Sequence, residues 1–186
     1  MAPLFIIIPL ATAFVMALIA RADERVQDGL ACVSVVCLFV LSVMAGLALG
    51  PNGSGITVYK VGNWLPPFGI SLVIDGLTAF MLVTVNLAAF CIALFATGYM
   101  KAYTDKWKFY TLFSLMLAGI NGVLVTGDIF NLYVFMEIAA ISAYFLVAFG
   151  TGAEELEASF KYAVMAPSPH ASYCLASRSS MAIPPR

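Results

Sequence analysis

The run from Gly29 to Leu49 holds 21 residues without a charge, and the run from Pro3 to Ala20 holds 18. A bilayer core of about 30 Å takes about 20 apolar residues in a helix, because every backbone N–H and C=O at that depth must be paired within the segment. Three further apolar stretches follow, and together they predict an all-α chain, a polytopic transmembrane helix bundle. The five spans fall at about 3–20, 29–49, 72–97, 109–125 and 129–149, with the start of a sixth before residue 165. The last two meet across Thr126, Gly127 and Asp128, too short for anything but a tight helical hairpin.

Hydrophobic residues make up 62% of the chain and charged residues 10%, which excludes an ordinary soluble domain, where about 25% are charged. A net charge of -1 without a basic run excludes nucleic-acid binding. Cys32, Cys37, Cys91 and Cys174 share no ligand-like spacing, so neither a disulfide framework nor a metal site is expected. No Gly-rich nucleotide loop follows a strand, and no cofactor is expected. The first stretch lacks the basic start of a secretory signal and is followed at once by a second span.

Between the second and third spans, Thr57, Val58, Tyr59 and Val61 precede Trp64, Leu65, Pro66 and Pro67, a pattern that predicts a short hairpin at the membrane surface. Arg21, Arg25, Lys101, Lys106, Lys108 and Lys161 fall in the loops after spans one, three and five, against Lys60 alone after spans two and four. By the positive-inside rule the N-terminus faces outward, in a multi-pass protein of the cell inner (cytoplasmic) membrane.

Residues 166–186 break the pattern. After Met165 the chain turns to Pro, Ser and Arg, a composition that neither spans a membrane nor packs a core, and residues 166–186 are expected to be an aberrant, disordered tail. Read one base out of frame, the Tyr173/Cys174 junction can encode only Leu and Met181/Ala182 only Gly, and the shifted frame permits a continuous apolar run. The expectation is a chain truncated by a frameshift after about Met165.

One ionisable residue lies deep in an apolar span. Glu137 follows Asp128 by nine residues and precedes Phe149 by twelve, close to mid-membrane at about 1.5 Å per residue. A charge there costs about 3 kcal/mol on insertion scales, which makes Glu137 the candidate proton-transfer residue. Tyr133 and Tyr144 share its helix face at spacings of four and seven, and their hydroxyls can both donate and accept, as a relay requires; packing or interfacial anchoring is their alternative role. Asp75 and Asp128 stand at helix starts and are expected to cap them. Asn86 and Asn121 are expected to bond across helices, and Lys161 to anchor at the boundary.

The run TGDIFNLYVFMEIAAISAYFLVAF from Thr126 to Phe149, with VGNWLPPFGI from Val61 and IDGLT from Ile74, resembles the antiporter-like membrane subunits of respiratory complex I, Mrp-type cation/proton antiporters and membrane-bound hydrogenases, most nearly the Mrp D-type subunit. The resemblance covers about Val58 to Met165. It implies an N-terminal fragment of a fold of about fourteen helices with two inverted five-helix repeats, the first opening with the fourth helix. It implies that Glu137 is the helix-five glutamate, which pairs with a lysine on a broken seventh helix; that lysine, those of the eighth and twelfth helices and the second repeat are absent from this sequence. The function implied is a proton-translocating or sodium/proton antiporter subunit of a multisubunit complex. Its partners would be other integral membrane subunits, protons, sodium and lipid. The alternatives are a membrane subunit of an NADH:quinone oxidoreductase or hydrogenase, with redox centres in its partners and no catalytic site in this chain, and a non-functional truncated fragment.

Overall fold

The computed structural model describes residues 1–19, 24–49, 55–61, 70–100, 106–150 and 152–165. The region read as a disordered tail, 166–186, and Trp64 to Pro67 of the surface hairpin lie outside these residues.

The described residues form six helices and one two-stranded hairpin: α1 Leu4–Leu18, α2 Glu24–Ala48, β1 Thr57–Lys60, β2 Ser71–Ile74, α3 Gly76–Tyr99, α4 Lys106–Val125, α5 Ile129–Val147 and α6 Ala153–Met165. By length and composition, α2 from Arg25, α3, α4 and α5 can each cross a membrane. Helix α1, at 15 residues, is about 22 Å long and shorter than those four.

Three boundaries differ from the apolar stretches, for identifiable reasons. Helix α2 starts at Glu24 rather than Gly29, and α4 at Lys106 rather than Phe109. In α2 and α4 helical hydrogen bonding extends into the polar residues before the apolar run, so there a charge marks the edge of lipid and not the edge of the helix. At the third span the apolar run begins inside a strand: Ser71–Ile74 pairs antiparallel with Thr57–Lys60, in the register Thr57 to Ile74 and Lys60 to Ser71. A short apolar run reads the same in either state, and the switch to helix is set by Asp75, whose side chain accepts the Thr78 amide at 2.7 Å. That hydrogen bond, at the helix mouth outside the span, holds the Asp75 carboxyl below the usual carboxylate range.

Helix α4 lies against α1 and α5, while α2 packs chiefly on α3. The main core, with Phe5, Leu38, Leu82, Leu117 and Val125 almost fully buried, gathers α1 to α4. The hairpin sits at the end where α4 turns into α5. Leu72 bridges to Thr126, and the Gly127 amide donates to the Ser71 carbonyl at 2.9 Å. Asp128 then caps α5 by accepting the amides of Phe130 and Asn131, each at 3.4 Å.

Candidate proton-transfer site

Glu137 lies eight residues after the first residue of α5 and ten before the last, about 12 Å along the helix. Its direction follows from how α5 meets α4. A Cβ on Gly119 would stand 2.7 Å from the backbone nitrogen of Ala139, and one on Gly122 would enter the Phe135 ring. Phe135 and Ala139 therefore face α4, and the buried Asn131 and Ser142 fall on the same side at helical spacing. Glu137 stands two residues from both Phe135 and Ala139, about 200° around the helix. It is turned away from α4 and is partly buried among the described residues.

Tyr133 and Tyr144 occupy that same outer face. Tyr133 is 36% exposed. The Tyr144 ring stands edge-on to Tyr162 of α6, with centroids 5.1 Å apart, and the Ser159 hydroxyl donates to the Tyr144 carbonyl at 2.8 Å. These two contacts fix the turn from α5 into α6. Around the three residues the face is apolar and open: Phe130, Ile141 and Phe145 are exposed. A carboxyl group can exchange a proton with a basic group brought against it, and a phenolic hydroxyl can both donate and accept a hydrogen bond.

Asn86 and Asn121 meet as expected, and do so reciprocally. Each side-chain amide donates to the other's carbonyl oxygen at 3.3 Å, and Asn86 also donates to the Leu82 carbonyl at 2.8 Å. Both are fully buried, so α3 and α4 are joined by an amide pair with its polar atoms turned inward.

A second polar contact is not evident from the apolar pattern. Tyr110, fully buried on α4, donates its hydroxyl to Oδ1 of Asp28 on α2 at 2.7 Å. In the sequence Asp28 stands among the loop charges that follow the first span and Lys106 in a polar loop, because both fall outside the apolar runs. The available signal is helical spacing: Lys106, Tyr110, Ser114 and Asn121 recur on one face of α4, and all four are buried.

Comparison with known proteins bears on the family of the chain. Residues 64–110 match the family model described as NADH-ubiquinone oxidoreductase (complex I), chain 5 N-terminus. The chain is 38% identical over 162 residues to the D-type subunit of a probable K(+)/H(+) antiporter from Rhizobium meliloti (strain 1021), covering 84% of this chain and 29% of that protein. The structure superposes on a chain of the membrane-bound sulfane sulfur reductase, an archaeal respiratory membrane complex, with a TM-score of 0.79, 35% identity and coverage of 88% of this chain and 33% of that one. It superposes on a chain of the Mrp complex from Dietzia sp. DQ12-45-1b with a TM-score of 0.70 and 31% identity, covering 78% and 27%. The chain thus spans about a third or less of the length of each of these proteins. Its sequence, its bundle of apolar helices and these likenesses together place it in the superfamily of antiporter-like membrane subunits that complex I and the Mrp complexes share.

Proposed function

We propose that this chain is part of a proton-translocating subunit of the cation/proton antiporter type, working within a multisubunit complex of the cell inner membrane, and that Glu137 is a proton-transfer residue in it. The observation that carries this reading is the placement of Glu137, mid-helix in α5 on the face away from α4, within an apolar surface. An acid kept there is costly, and the cost is offset when it binds a proton or faces a cation supplied by another membrane helix. Loss and recovery of that charge would bias the proton affinity of its partner. Moving one charge across 100 mV takes about 2.3 kcal/mol, so a shift of under two units in a coupled pair matches the scale. The likeness to a D-type antiporter protein and to a chain of an Mrp complex supports the antiporter reading. Protons and a monovalent cation exchanged for them, sodium in the reading of the sequence, other integral membrane subunits and lipid are the partners proposed, with the N-terminus outside.

The test is Glu137→Gln in the assembled membrane complex that contains this chain. Cation-dependent proton flux in reconstituted vesicles should fall by about tenfold or more, since a positioned proton-transfer group is worth about 10² to 10⁴ in rate. Unchanged flux would remove Glu137 from the mechanism. A second reading, a membrane subunit of a redox-driven complex, is favoured by the complex I family match and by the respiratory complex on which the chain superposes. Purification of the native complex separates the two: iron–sulfur or flavin subunits accompany the chain in a redox complex, and further antiporter subunits in the first case.

A further inference from the structure

We draw no further inference here: the strongest candidate, the outward side of the two-stranded hairpin, where every residue of Thr57–Lys60 is exposed and Ile56 and Val61 beside them are exposed as well, carries nothing because nothing in the structure shows what covers it.

Discussion

Gly119 is seated directly on the backbone of Ala139, so close that a Cβ there would meet the Ala139 nitrogen at 2.7 Å and its Cα and Cβ at 2.9 Å. No rotamer relieves this contact, because the obstruction is main chain. The register of α5 on α4, and with it the direction of Glu137, depends on this approach. Small residues matter more between membrane helices than in water, since lipid and neighbour are equally apolar and close packing supplies much of the attraction.

Gly119→Ala should therefore force α4 and α5 apart, at a cost of about 1–3 kcal/mol typical of overpacking. The melting temperature of the detergent-solubilised complex should fall. Gly122→Ala would set its Cβ 2.5 Å from Phe135 Cγ, the root of the ring, so the ring must leave the α4–α5 contact and the melting temperature should fall here too. An unchanged melting temperature in both substitutions would contradict the structure.

The amide pair makes a different prediction. Asn86→Leu leaves the Asn121 amide buried and without its partner, which costs about 1–3 kcal/mol. Replacing both by Leu removes the demand as well as the bond and should recover part of that loss. A double-mutant cycle on unfolding should return a coupling of about 0.5–2 kcal/mol. A coupling near zero would mean that the pair does not form.

The two acidic caps differ in strength. Asp128→Ala leaves the Phe130 and Asn131 amides without their acceptor and should lower stability by about 1 kcal/mol, with Asp128→Asn or Asp128→Ser recovering most of it. Asp75→Ala should be the more damaging, because the Thr78 amide bonds it at 2.7 Å against 3.4 Å for the bonds to Asp128. Hydrogen exchange in the first turns of α3 and α5 reads both. The Asp75 carboxyl titrates below its ordinary range in the folded chain. Its cap is therefore fully present at neutral pH and is lost only as the pH falls through that depressed value.

The turn between α5 and α6 supplies a fourth test. Ser159→Ala removes the hydroxyl that donates to the Tyr144 carbonyl, and Tyr162→Ala removes the ring set edge-on to Tyr144. Each should loosen α6 by about 0.5–1.5 kcal/mol, seen as faster proteolysis within Ala153–Met165. If Tyr144 serves chiefly as a packing anchor, Tyr144→Phe will keep the flux of the complex. If its hydroxyl is part of a relay, flux falls with the fold intact.

Taken alone, the sequence determined the chain's solvent and most of its helices. Runs of about 20 residues without charge admit only helices in lipid, and Asp75 and Asp128 mark where two of them begin. It also determined that Glu137 is deep in its helix, because depth along a helix is a matter of counting residues. Only the tertiary structure decided which faces meet. Apart from the polar stripe Lys106, Tyr110, Ser114 and Asn121 on α4, these helices are apolar nearly all round, so no periodicity separates the side that packs from the side that meets lipid. Hence nothing in the pattern told that Phe135 and Ala139 face α4 while Glu137 turns away, or that Asp28, placed among loop charges, reaches Tyr110 across 82 positions of the chain. That Ser71–Ile74 is a strand ahead of the Asp75 cap was also hidden, since those four residues are as apolar as the helix they precede.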